Sequence, residues 1–113
     1  MDSTSLHSYL VDGVLRGEFE GRDHGSSVSL IMVGTEEIGA GPRLHRHPYD
    51  ETFVVRAGTA RFTIGDEVRV ATAGQILVAP ANTPHKFENM GPGRLEMTDV
   101  HANDHFVTEW LED

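Results

Sequence analysis

The chain of 113 residues contains no cysteine, which excludes a disulfide framework, a thiolate metal site and any redox switch built on sulfur. Any metal ion must therefore be held by nitrogen and oxygen. Basic residues are scarce as well: nine Lys and Arg stand against 18 Asp and Glu, for a formal charge of −9. A field of that sign repels phosphate backbones and anionic headgroups, so neither nucleic acid nor a membrane surface is an expected partner. No apolar stretch approaches the ~18 residues of a membrane-spanning helix, and the N-terminus has no basic segment leading into an apolar run. A soluble, cytoplasmic protein is the expectation. Repeats, low-complexity tracts and linkers are also missing, and the length fits one domain over residues 1–113.

Helical periodicity is hard to find. What is present instead is 12 glycines and five prolines punctuating short runs rich in Val, Ile, Phe and Thr, the pattern of strands joined by turns. Strands are predicted over Ser27–Val33, Thr52–Arg56, Ala60–Ile64, Glu67–Ala71, Gln75–Ala79 and Arg94–His101. Gly65-Asp66 fits a two-residue type II′ hairpin turn, because Gly in first place supplies the positive φ. Pro80, Pro84 and Pro92 mark bends or edges. The tail from Asn103 to Asp113 fits helical spacing through Phe106, Val107, Trp110 and Leu111 but also alternates acceptably as a strand, which is the reading favoured. Many short strands without helices point to an all-β sandwich or barrel.

The candidate chemistry lies in the histidines. His45 and His47 are two apart, so on a strand both imidazoles point to one side. Glu51 follows a Pro48-Tyr49-Asp50 bend that can return its carboxylate to the same point. Two His and one carboxylate suit a divalent transition metal, and a third imidazole would complete a four-ligand N/O site. His85, entering a strand after Pro80 and Pro84, is the candidate for that place, from a second wall of the barrel.

Around these residues the sequence resembles the cupin superfamily. Gly39, His45, His47, Glu51 and Gly58 are spaced as in the first cupin motif (39–58), and Gly74, Pro80, His85 and Asn89 as in the second (74–89). Asn82 stands where the family pattern usually has Gly; Asn tolerates left-handed backbone better than most residues. The resemblance implies a single antiparallel jelly-roll barrel of two packed sheets, holding one divalent transition metal (Fe, Mn, Ni or Zn) on His45, His47, Glu51 and His85. It further implies a homodimer and a metal-dependent, dioxygenase-like enzyme acting on a small organic molecule. The alternatives are a redox-neutral isomerase, decarboxylase or lyase, and a non-catalytic small-ligand binder, since a fold does not fix a reaction. No catalytic residue is assigned.

Other residues receive plainer readings. His7, His24, His101 and His105 read as surface histidines. Tyr49 and Asp50 could line the mouth of the site or pack on the barrel rim. Arg46 should point away from the metal and pair with surface acid, and neither it nor Arg43 reads as a substrate clamp. Phe53, Val55, Phe62, Ile76 and Phe87 are the expected core or pocket lining.

Overall fold

The computed structural model describes residues 6–113. Among these residues there is no α-helix, only one 3₁₀ turn at Gly21–Asp23. The strands are β1 (Leu10–Val11), β2 (Val14–Leu15), β3 (Gly17–Phe19), β4 (Ser29–Thr35), β5 (His45–Arg46) and β6 (Glu51–Ala57). They continue with β7 (Thr59–Ile64), β8 (Glu67–Thr72), β9 (Ile76–Ala79), β10 (His85–Asn89), β11 (Leu95–His101) and β12 (Glu109–Trp110). Apart from the small β1–β2 ribbon they form two five-stranded antiparallel sheets, ordered β12-β5-β10-β7-β8 and β3-β4-β11-β6-β9. The two sheets pack face to face, as expected of a jelly roll.

The strands form where alternation is strict. Along β6 Glu51, Phe53 and Val55 turn inward, along β10 His85, Phe87 and Asn89, and along β11 Leu95, Met97, Asp99 and His101. Each inward row is apolar in its middle or at one end, where Phe53, Val55, Ala60, Phe62, Leu95 and Met97 make the core. At the other end of β6, β10 and β11 the inward side chains are Glu51, His85 and His101. A polar end is thus built onto an apolar floor by the same period of two.

Turn chemistry explains the connections. Gly65 has a positive φ and Asp66 does not, and Ile64 pairs with Glu67 across the turn, as a type II′ hairpin requires. Asn82 does take the left-handed conformation, at φ 65°, and its N–H donates to the His47 carbonyl at 2.7 Å. The turn that departs from the family pattern therefore still braces the site. Gly58, at φ 85°, joins β6 to β7, and a Cβ there would stand 2.5 Å from the Arg94 carbonyl oxygen, so only glycine fits.

Three expectations need correction. The first long strand lies two residues later than predicted, Ser29–Thr35 instead of 27–33, because Gly34 does not end it. Gly34 stays in the ladder opposite Glu96, and its missing side chain makes room for Val14, whose Cγ1 would otherwise lie 2.5 Å from a Cβ. Ile76 is not core: it is 62% exposed. Phe53 pairs with Leu77, so the register turns Leu77 and Ala79 inward and Ile76 and Val78 outward. The tail is neither helix nor a full strand; only Glu109–Trp110 pairs, with β5.

Asn89 ties the open end of β10 to its surroundings. Its Nδ2 lies 3.2–3.3 Å from the carbonyl oxygens of Thr35, Glu37 and Gly93, and its Oδ1 accepts the Gly91 N–H at 2.9 Å. Asn89→Ala would take this shared partner from three carbonyls and one N–H that are only part-buried, and is expected to cost about 1–2 kcal/mol. Urea unfolding monitored by circular dichroism measures this.

Candidate metal centre

The two sheets divide the cluster between them. His45 on β5 lies directly opposite His85 on β10, and His47 follows β5 by one residue. Both strands belong to one sheet, so His85 does not come from a second wall as expected. The wall opposite supplies Glu51, first residue of β6 and inward-facing. Glu51 Oε1 is 3.0 Å from His47 Nε2 and 3.0 Å from His85 Nε2. One ligand atom from each of His45, His47, Glu51 and His85 falls within 4.8 Å of all the others, and all four residues are buried.

Backbone carbonyls fix the tautomers. His45 Nδ1 lies 2.7 Å from the Arg43 carbonyl, His47 Nδ1 2.8 Å from that of Val107, and His85 Nδ1 2.9 Å from that of Thr83. A carbonyl oxygen only accepts, so each Nδ1 carries the hydrogen and each Nε2 is left to face Glu51. Three Nε2 lone pairs crowded around a carboxylate repel unless a proton or a cation lies between them. His47 Nε2 has no hydrogen-bond partner despite its nearness to Glu51. Second-atom anchoring of this kind is how proteins orient metal-binding imidazoles, and the set fits a divalent transition metal.

The electrostatics agree. Burial, helped by the neighbouring His85 and His47, lowers the His45 pKa from 6.5 to about 4, so this imidazole is neutral and free to ligate at physiological pH. Burial alone would raise the Glu51 carboxyl, but His101, His47 and His85 outweigh it and hold it below the ordinary carboxylate range. A pH dependence follows for the metal-free chain. Between pH 6.5 and about 4 the unfolded chain takes up a proton at His45 that the folded chain does not, so stability falls as pH falls through that window. Glu51 acts in the same direction below its unfolded pKa. Melting in chelator should therefore occur at lower temperature at pH 5 than at pH 7, and His45→Asn should flatten the difference.

The tail holds the site from above. Besides the His47–Val107 bond, Leu111 N–H donates to the Leu44 carbonyl at 2.9 Å and Leu44 N–H to Glu112 Oε1 at 2.8 Å. Arg46 turns outward, as alternation predicts, and makes two 3.0 Å contacts with Glu109. Trp110 pairs with His45 in register, its ring 5.1 Å from the imidazole.

Sequence reasoning missed part of the site. His101 is not a surface histidine but 2% exposed, with Nε2 3.1 Å from Glu51 Oε2. Tyr49 is not a rim residue either: it is buried, and its hydroxyl lies 2.8 Å from His101 Nδ1 while accepting the Val107 N–H at 3.3 Å. Asp99, two residues before His101, is equally buried; burial, reinforced by the Glu51 charge, pushes its carboxyl well above the ordinary range. The signal was available. Extending the inward alternation of Leu95 and Met97 by two more steps reaches Asp99 and then His101. His105 is part-exposed beside Asp104, His7 is exposed, and His24 is half-buried, stacked on Phe19 with centroids 4.2 Å apart. These three lie outside the cluster.

A cavity of about 460 Å³ opens beside the ligands, with His45, His47 and Glu51 in its wall. Among the described residues no helix is long and apolar enough to cross a membrane.

The comparisons with known proteins agree with this architecture. The sequence model of the Cupin domain family matches residues 32–101, a span that contains all four cluster residues. Mannose-1-phosphate guanylyltransferase 2 of Escherichia coli O157:H7 is 32% identical over 91 residues, covering 79% of this chain and 18% of that protein. The chain thus spans under a fifth of the length of that curated relative. Oxalate decarboxylase of Bacillus subtilis superposes with a TM-score of 0.74 at 24% identity, over 83% of this chain and 27% of that one. An uncharacterized conserved protein with a double-stranded β-helix domain from Klebsiella pneumoniae gives a TM-score of 0.68 at 24% identity, covering 77% and 76% of the two chains. These structural likenesses speak to the fold. Taken with the family match over more than half its length, they show that the chain belongs to the cupin family.

Proposed function

We propose that the chain is a metal-dependent enzyme in which His45, His47, Glu51 and His85 hold one divalent transition metal beside the cavity, and that it carries out a dioxygenase-like oxidation of a small organic molecule. The observation that carries this is the anchoring of three Nδ1 atoms on carbonyls, which leaves three Nε2 atoms and one carboxylate to a common cation. The metal, when bound, would supply Lewis acidity and, if it is iron or manganese, a route for electrons. Four protein ligands leave room on an ion that prefers six for small-molecule oxygens.

The protein's own groups have separate tasks. Glu51 offsets the charge of the ion. The apolar floor of Phe53 and Phe87 keeps bulk water from the ligands, which strengthens every polar interaction above it. His101 and Tyr49 form a hydrogen-bonded pair next to Glu51 that can hold or move a proton between the tyrosine oxygen and His101 Nδ1. That pair is also the observation favouring a second reading, a redox-neutral isomerisation, decarboxylation or lyase reaction at the same metal. Solved structures of the oxalate decarboxylase relative are described with Mn(II) centres, which supports manganese as one candidate ion.

Oxygen consumption by the Fe(II)-loaded chain against a panel of small organic acids, enols and phenols tests the proposal. Substrate-dependent uptake is expected. Turnover without uptake would replace it by the redox-neutral reading, and saturable binding with the ligand recovered unchanged would make the chain a binding module.

A further inference from the structure

The cavity beside the ligands has an unusual charge make-up. Its walls are largely apolar, formed by Ile31, Val33, Phe87, Phe106 and Trp110, and the carboxyl groups of Glu18, Glu51 and Asp99 line it beside the imidazoles of His45, His47 and His101. Among the described residues no Lys or Arg lines it. The cations nearby in sequence have partners of their own. Arg43 sits over the Trp110 ring at 4.7 Å from its centroid, Lys86 pairs with Glu112 at 3.2 Å, and Arg61 pairs with Glu88. A dianionic ligand would find only the metal as countercharge, and Glu51 already offsets part of that.

Asp99 supplies the second observation. It is 2% exposed, projects inward from β11 between Met97 and His101, and lines this cavity. Its Oδ1 has no hydrogen-bond partner. A buried carboxyl oxygen left without a bond destabilises a fold, and an apolar residue of similar size would fill the same place on β11 without that cost. The bond that Oδ1 lacks is one that a molecule in the cavity can make.

We propose that Asp99 is a substrate-contacting residue, and that the substrate is a small, largely apolar molecule without a dianionic group, which offers one oxygen to the metal and a hydroxyl or amino hydrogen to Asp99. An aromatic or branched vicinal diol or hydroxy-ketone has this chemistry; oxalate and sugar phosphates do not. The inference rests on the metal centre proposed above and names the class of molecule it serves.

Trp110 is the single tryptophan of the chain and lines the cavity, so its fluorescence reports occupancy. The test titrates catechol, and separately oxalate, into the Zn(II)-loaded chain, which binds without redox turnover. The same titrations are made on Asp99→Asn and Asp99→Leu, with zinc content and melting temperature measured for each. Catechol should quench the fluorescence at a concentration at least about tenfold below that for oxalate, and Asp99→Leu should weaken catechol about tenfold, the size of one lost buried hydrogen bond, while Asp99→Asn, whose Oδ1 still accepts, should bind it nearer to the parent. Both variants should keep their zinc and melt no lower than the parent, which a merely structural carboxyl would not allow. Oxalate binding as tightly as catechol, or catechol binding unchanged in Asp99→Leu, overturns the inference while leaving the metal centre standing. A parent chain that retains no zinc overturns the metal centre and this inference together.

Discussion

Glu51→Gln should lower metal affinity by more than about 100-fold, since disturbing even the outer partners of a ligand costs about 10–100-fold. Glu51 is the only carboxylate in the four-residue cluster and the only member supplied by its sheet. Gln keeps the shape and one oxygen but removes the charge that offsets the ion. In the metal-free chain the substitution should be tolerated, because an amide N–H can donate to one of the Nε2 atoms that now faces a carboxylate oxygen. The two effects separate in one experiment. Melting of the parent should rise on adding a divalent metal, by an amount equivalent to about 2.7 kcal/mol at 100 times the dissociation constant. The variant should melt near the metal-free parent and show almost no rise at the same metal concentration. A variant that responds to metal as the parent does would remove Glu51 from the ligand set.

Phe53→Ala should be the most destabilising substitution in the floor of the site, by about 3–5 kcal/mol. The ring is 1% exposed, with centroids 4.9 Å from Phe62, 6.1 Å from Phe87 and 5.7 Å from the His85 imidazole. Phe62, Phe87 and His85 all belong to the opposite sheet, so truncation would open the gap between the two sheets. A loss of that size is a large share of the ~5–15 kcal/mol that holds a domain folded, and the packing behind His85 goes with it. Ile76→Ala is the control: it carries a similar apolar side chain in the neighbouring strand, but faces outward, and should stay within about 0.5 kcal/mol. Urea midpoints of the two variants give the comparison directly.

The contrast between Phe53 and Ile76 shows how far the sequence could be read. The run from Thr52 to Arg56 alternates, so its inward face is legible, whereas Ile76, Leu77 and Val78 are apolar on both faces and only the pairing of Leu77 with Phe53 decides between them. The Gly65-Asp66 hairpin was legible because its register follows from two residues of turn chemistry. Gly34 was not, because the reason it stays within β4 lies in Val14, some twenty residues earlier.

The four cluster residues were legible from spacing and family resemblance, but their arrangement was not. His85 was expected on a second wall and stands beside His45 in the same sheet, because β10 pairs with β5, a contact between segments forty residues apart that no local pattern encodes. His101, Tyr49 and Asp99 escaped for a related reason. His101 looks exposed when judged by the turn-forming Ala102-Asn103-Asp104 that follows it. It is buried because it continues the inward row that begins at Leu95. The tail, ambiguous between helix and strand, is held by partners distant in sequence: Leu44, Arg46 and His47.

The central claim is that three carbonyl-anchored imidazoles and one carboxylate hold a single divalent ion. The most direct test is elemental analysis of the chain purified without a metal-binding tag, in parallel with His47→Ala. The parent should carry about one divalent transition metal ion per chain and His47→Ala almost none under the same conditions. A parent that carries no metal, even after incubation with Fe(II), Mn(II), Ni(II) and Zn(II) in turn, would contradict it, as would a His47→Ala chain that keeps the full complement.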